Sequence, residues 1–384
     1  METWCQSPTL SYCLNIHPGE TWAEMVGTVE IAAATVRALV EPAGTLAVGL
    51  RISATAANEA DPERIARLRA ALEAAGLTVM SVNAFPYGRF HRARVKDAVY
   101  RPDWRTAERE TYTRQVAEIL AALLPEGGAG SVSTVPVGYR FDSWSSDDLA
   151  AARRRLRRTA EALEALRERT GRRVGLALEP EPDCVIETTA ELMAFLESMA
   201  LAERLAPYLG VCADICHLAV LGESPVEALR RLRSAGVPVH KIQLSAAVKA
   251  RPSPQGLRAL AALADDVYLH QTCAFDAEGR LVERWRDLPE ALTSLRERTD
   301  VAEVRSHVHV PLHWSGEGDL TTTAPAPGDG FWREAVAVTR EIEIETYTFE
   351  VLPAPLRARG VIGSIAAEYR WARTALQAAL GATE

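Results

Sequence analysis

The 384-residue sequence has no dense Lys/Arg patch, no CxxC pair, no low-complexity linker and no apolar run approaching the roughly 18 residues that cross a bilayer. Each absence closes off a class of function. With a net charge of −8 and its cations dispersed, the chain lacks the electrostatic footprint that neutralising nucleic-acid phosphates requires. The one basic run, RRRLRR at 153–158, sits at helical spacing among Glu161, Glu164 and Glu168 and reads as a solvated helix face. The six cysteines, Cys5, Cys13, Cys184, Cys212, Cys216 and Cys273, are scattered, and the opening METWCQSPTL has no basic segment followed by an apolar one. A reduced, cytoplasmic protein is therefore expected, with no nucleic-acid partner and no membrane insertion. Cys212 and Cys216 flank Asp214 at the same strand parity and read as small core residues.

What is present is ordinary globular material, 48% apolar and 24% charged, arranged in a rhythm. Short β-branched runs alternate with amphipathic stretches, the signature of βα units and a parallel sheet. The predicted strands are Leu10–Ile16, Leu46–Ile52, Thr78–Ala84, Ser131–Val135, Val174–Leu178, Leu209–Ala213, Val237–Leu244 and Ile342–Thr348. Helical patterns between them include Asp61–Ala75, Arg105–Leu124, Ser146–Thr170, Thr188–Met199, Pro225–Ala235 and Gly330–Arg340, several opened by Asp, Ser or Thr as N-caps. Eight such units predict an α/β fold, a closed (β/α)8 TIM barrel in one domain over 1–384. Two further extended stretches, a hairpin over Asp266–Phe275 and Arg280–Trp285 and a run at Val304–Leu312, fall between the seventh and eighth strands. Residues of about 250–328 are expected to form an elaboration over the barrel mouth, closed by APAPGDG at 324–330.

Barrel chemistry sits at the C-terminal ends of the strands. There the fifth strand ends in Glu179, the sixth in Asp214 and His217, the seventh in Gln243, and the eighth carries Glu345. Converging carboxylates without basic neighbours imply a cation, shared protons or hidden basic partners. Few lysines or arginines stand at these strand ends, so one divalent ion (Mn, Mg, Co or Zn) held by oxygen ligands is the economical expectation. Rivals within the same strings are Glu181 or Asp183 for Glu179, and Glu350 for Glu345.

These residues resemble the xylose isomerase-like barrels, the sugar-phosphate isomerase and epimerase superfamily. Glu179 in ALEP, Asp214 in the D-x-x-H of ADICH, Gln243 in HKIQLS and Glu345 in IEIET match the positions that hold that superfamily's metal. The seventh-strand ligand is often His; Gln243 resembles the hydroxypyruvate isomerase branch, and His270 or His309 from the elaboration are the alternates. The strings LNIHPGETW at 14–22, NAFPYGRFH at 83–91, VKDAVYRPDW at 95–104, STVPVGYR at 133–140 and ETYTFEVLP at 345–353 further resemble the metabolite traffic protein EboE family, which is associated with specialised-metabolite gene clusters.

The resemblance implies a metal-dependent isomerase or epimerase acting on a sugar, a cyclitol or their phosphate through an enediolate. Glu179 and Glu345 then move the proton, and His217 orients the substrate. By position, His17, Asn83, His91, Arg140 and Tyr347 are candidate substrate contacts, with Arg140 suited to an anionic group. His307, His309 and His313 share one strand face, where a second metal is conceivable. The alternatives are a barrel that only binds or hands on a metabolite, and a metal-dependent hydrolase. The sequence leaves the oligomeric state open, a homo-oligomer included.

Overall fold

The computed structural model describes residues 8–91 and 94–381. Cys5 lies outside them; the other five cysteines are buried free thiols. Eight parallel strands close a barrel: Thr9–Cys13, Leu46–Arg51, Leu77–Asn83, Ala129–Thr134, Arg173–Leu178, Leu209–Asp214, Val239–Leu244 and Glu341–Ile344. The eighth pairs with both the seventh and the first, which completes the ring. Helices follow the strands and are started as their sequences dictate. Asp61, Thr106, Ser145, Thr188, Ser224 and Asp329 each accept a backbone N–H of the first turn, and Ser145 and Thr188 form full capping boxes. No helix among the described residues is long and apolar enough to cross a membrane.

Two barrel strands are shorter than their apolar patterns. The first stops at Cys13 and passes into a 3-10 turn over Leu14–Ile16; the eighth stops at Ile344, ahead of another at Tyr347–Val351. Both lose their ladder where the chain turns to aim side chains into the mouth. Between the seventh and eighth barrel strands lies an antiparallel sheet of five strands, Ala247–Ala250, Thr272–Phe275, Leu281–Trp285, Glu303–His309 and Leu320–Thr322. The stretch before Thr272 is not strand: the Asp265 carboxylate accepts the N–H groups of Val267 and Tyr268 and folds it into a turn.

The eighth strand and the residue after it alternate strictly, Ile342 and Ile344 outward against the helices and Glu341, Glu343 and Glu345 inward. Lys241, reached from the seventh strand, donates to Glu343 Oε1 at 2.7 Å with both side chains fully buried. Burial opposes the lysine charge, but Glu343 above all holds the ammonium protonated. Gly49 makes room for this pair. A Cβ there would fall 1.7 Å from Glu343 Oε2 and 2.6 Å from Ser81 Oγ.

Candidate metal and substrate site

One layer above that ion pair, Glu179, Asp214 and Glu345 bring carboxylate oxygens within 4.8 Å of one another, all buried. Three strands deliver them. Glu179 follows the fifth strand, Asp214 ends the sixth and caps the short helix Ile215–Val220, and Glu345 follows the eighth. The cap fixes Asp214: its Oδ1 accepts the His217 N–H at 3.0 Å and the Ser245 hydroxyl at 2.8 Å, leaving Oδ2 unpartnered. Glu345 Oε1 accepts the amides of Asn15 at 2.5 Å and Asn83 at 3.4 Å. Asn15 was not singled out from the sequence; its signal is its place just past the first strand.

Burial first, then the charge of Asp214, pushes the Glu179 carboxyl up to about 8 and drives Glu345 well above the usual carboxylate range. Asp214 moves the other way. Burial would raise it, but His217, His309 and its hydrogen bonds outweigh that and hold it low. Glu179 Oε2, Asp214 Oδ2 and Asn15 Oδ1 are buried lone pairs with no donor, a set that fits a hard divalent cation. Lys241 does not serve in its place, since its ammonium is bound to Glu343.

Gln243 is buried beside this set, yet its Oε1 lies 2.7 Å from the Cys212 thiol and is engaged there. Its free amide atom is Nε2, a donor, so as it stands Gln243 offers the centre no oxygen. Of the alternates, His270 is turned away, with Nε2 on Asp265 at 2.5 Å and Nδ1 on the His307 carbonyl at 3.0 Å. His309 does arrive, grouped with Asp214 and His217 within 4.8 Å. His307 joins it from the same strand face and stacks edge-on against His217 at 4.7 Å.

A cavity opens onto Glu179, Glu345 and His217. Its polar wall also carries Glu181, which accepts the Tyr100 hydroxyl at 3.0 Å; its apolar wall includes Phe85, Phe90, Tyr268 and Tyr347. Asn83 and Tyr347 line it as the sequence suggested, whereas His17, His91 and Arg140 do not. His17 is buried edge-on to Tyr12, and His91 packs against the Phe90 ring. Arg140 is held by Glu187 and Glu191, each at 2.7 Å. Glu181 is in the site, but Asp183 faces Arg284 and Glu350 is exposed. The lining cation Lys96 is consumed by Asp287 at 2.7 Å and by the carbonyls of Asp265 and Tyr268.

The family model for xylose isomerase-like TIM barrels matches residues 37–270. No curated protein matches the chain. Among solved structures, a xylose isomerase-like TIM barrel protein from Mycobacterium smegmatis in complex with magnesium is 12% identical, with a TM-score of 0.54 over 99% of this chain and 98% of that one. A xylose isomerase domain protein from Alicyclobacillus acidocaldarius is 15% identical, with a TM-score of 0.52 over 97% of this chain and 100% of that one. The IOLI protein with a bound zinc atom is 10% identical, with a TM-score of 0.51 over 97% of this chain and 98% of that one. At these identities the likeness is one of fold. With the family model spanning more than half of its length, and the closed eight-stranded barrel beneath it, the chain belongs to the xylose isomerase-like TIM barrel family.

Proposed function

We propose that this barrel is a divalent-metal-dependent isomerase or epimerase of an unphosphorylated sugar-like or cyclitol hydroxy-carbonyl compound. In this reading it works in the cytoplasm on a specialised metabolite, as the long strings similar to the EboE family suggest. The meeting of Glu179, Asp214 and Glu345 within 4.8 Å, open to a cavity, carries the reading. Those three carboxylates hold the cation, with the Gln243 oxygen joining if its amide turns away from Cys212. The bound cation supplies Lewis-acid polarisation of the hydroxy-carbonyl pair.

The chain's own groups divide the remaining work. Asp214, held low, stays ionised as a ligand. Glu179 and Glu345 both line the cavity and are placed to move the proton, one accepting it from carbon and the other returning one. Asn15 and Asn83 fix the plane of Glu345 for that exchange. The segment of about 250–328 serves as an elaboration over the mouth, adding Tyr268 and His307 to the wall that excludes water. Because Lys96 and Arg140 are already neutralised by carboxylates, a phosphate would meet acidic lining, which favours a neutral substrate.

The test is solvent deuterium incorporation into a panel of ketoses and cyclitols by the metal-loaded protein, with and without chelator. Metal-dependent exchange that disappears in Glu345→Gln is expected. A metal-loaded protein that binds panel members without exchanging any of them would instead be a metabolite-binding barrel.

A further inference from the structure

We propose that His307 and Glu181 are specificity-determining residues that accept hydrogen bonds from two substrate hydroxyls, and that Gln271 is the positioning residue that makes acceptors of both. The substrate class is then a compound with free hydroxyls beyond the reacting hydroxy-carbonyl pair. Analogues in which those hydroxyls are removed or O-methylated are refused. The kinetic side of this inference rests on the isomerase reading; its hydrogen-bond polarity does not.

One buried amide sets that polarity. Gln271 immediately precedes the strand Thr272–Phe275, and its carbonyl accepts the His307 N–H at 2.8 Å across the antiparallel sheet. Its side chain reaches the Pro182 carbonyl at 3.1 Å and the Tyr100 hydroxyl at 2.8 Å, both through Nε2. A carbonyl only accepts, so the amide nitrogen must be the end that faces Pro182, and Oε1 is left for His307. His307 Nδ1 lies 2.8 Å from that oxygen. An amide oxygen also only accepts, so the ring carries its proton on Nδ1. Burial above all holds this imidazole well below its usual range, which keeps the ring neutral and leaves Nε2 a bare lone pair.

The second amide hydrogen acts on the other wall. Because the Tyr100 oxygen accepts from Gln271, its own proton is directed to Glu181 Oε1 at 3.0 Å. The Tyr139 ring, stacked at 4.8 Å, holds Tyr100 in place. The His307 Nδ1 proton, 3.9 Å from the same carboxylate oxygen, is given to Gln271 instead. Among the described residues no Lys or Arg pairs with Glu181, so a single neutral hydroxyl is left to satisfy a buried carboxylate.

Both acceptors line the cavity that opens onto Glu179 and Glu345. The Nδ1 side of His307 is turned to Gln271 and its Nε2 side to Tyr347, which lines the cavity too. At 3.4 Å the Tyr347 hydroxyl makes a long hydrogen bond, and Nε2 stays open to a better-placed donor. Lys96 is spent on Asp287 and two carbonyls, so an ester, carboxylate or phosphate here would meet lone pairs. A hydroxyl brings the donor that they lack. His307 and Gln271 belong to the segment between the seventh and eighth barrel strands, so the elaboration, joined by Glu181, selects the substrate.

The first measurement is long-range ¹H–¹⁵N NMR of the histidine rings in the ¹⁵N-labelled full chain, with His307 assigned from His307→Gln. Wild type is expected to show the Nδ1–H form, and an Nε2–H ring overturns the proposal. Gln271→Met should convert the ring to Nε2–H or to a mixture; an unchanged ring in a natively melting Gln271→Met protein overturns it as well. The second measurement needs no variant. It uses ketohexose probes in which each hydroxyl beyond the reacting pair is replaced in turn by hydrogen, on the metal-loaded wild type. Two of these replacements should each lower kcat/KM for deuterium exchange by about 10- to 100-fold, mostly through KM. His307→Phe should abolish one of the two penalties and Glu181→Met the other. Equal rates for all the deoxy probes overturn the proposal and leave the isomerase reading standing. If no probe exchanges, calorimetric titration of the same probes decides. Penalties of that size in Kd support the proposal while removing the isomerase reading, and equal constants, or no binding of any probe, overturn it.

Discussion

Glu343 on the eighth strand and Glu345 just past its end are two residues apart, both buried and both pointing into the barrel, yet their surroundings are opposite. Glu343 has a cation at 2.7 Å in Lys241 and the Ser81 hydroxyl as a second donor. Glu345 has two neutral amides and faces the charges of Asp214 and Glu179. A third buried carboxylate, Glu368, lies between these extremes: its Oε2 accepts the Thr346 hydroxyl at 2.7 Å and the Leu312 N–H at 3.1 Å, while its Oε1 has no hydrogen-bond partner and no cation stands by it. The lesson is that burial alone does not mark function. A buried carboxylate given its partners by the fold supports the structure, and one left short of them and open to a cavity is available for a ligand.

The sharpest way to break this comparison is to strip Glu343 of its cation. Lys241→Met should lower unfolding stability by about 3–5 kcal/mol in denaturant titration, and Lys241→Met with Glu343→Leu should recover most of that, because the pair is removed together. Little loss in the single variant would mean that Glu343 tolerates isolation as Glu345 does.

Next comes pH. Burial raises the Glu368 carboxyl from 4.5 to about 7, so the folded state binds that proton more tightly than the unfolded state. Its contribution is fully present below about pH 4.5 and is lost as pH rises through 7. Melting curves from pH 5 to 8 should therefore show wild type falling relative to Glu368→Gln by up to about 3 kcal/mol. Parallel curves would remove the intermediate case.

Gly49→Ala presses a methyl on the Glu343 carboxylate, which Lys241 prevents from swinging away, and should cost about 1–3 kcal/mol by the same denaturant measurement. The smallest stability effect is expected at Glu345 itself. Glu345→Gln removes a raised carboxyl without emptying its volume, so the metal-free melting temperature should stay the same or rise slightly, while magnesium uptake is abolished. A large stability loss there would make Glu345 a second Glu343.

The sequence was most legible where composition and period coincide. Eight β-branched runs alternating with capped amphipathic helices announced the barrel, and polar residues at the ends of apolar strands pointed to Glu179, Asp214 and Glu345. It was least legible where partners come from distant segments. The IEIE alternation presents Glu343 as openly as Glu345, and only the pairing of the seventh with the eighth strand reveals that Lys241 belongs to one of them. Arg140 looked available for an anion because Glu187 and Glu191 lie about fifty residues away in the chain. His307 and His309 read as one face of a strand, but which way that face turned depended on how the sheet packs over the barrel.

By itself, then, the sequence determined the barrel, its strand order and the carboxylates at its mouth, because period, capping and strand-end position are local properties written along the chain. Only the tertiary structure decided which buried charge is neutralised, that the Gln243 oxygen is spent on Cys212, and that the His309 imidazole of the antiparallel sheet meets Asp214. Those are questions of who stands within about 4 Å of whom, and electrostatics in a low-dielectric interior is settled at that distance.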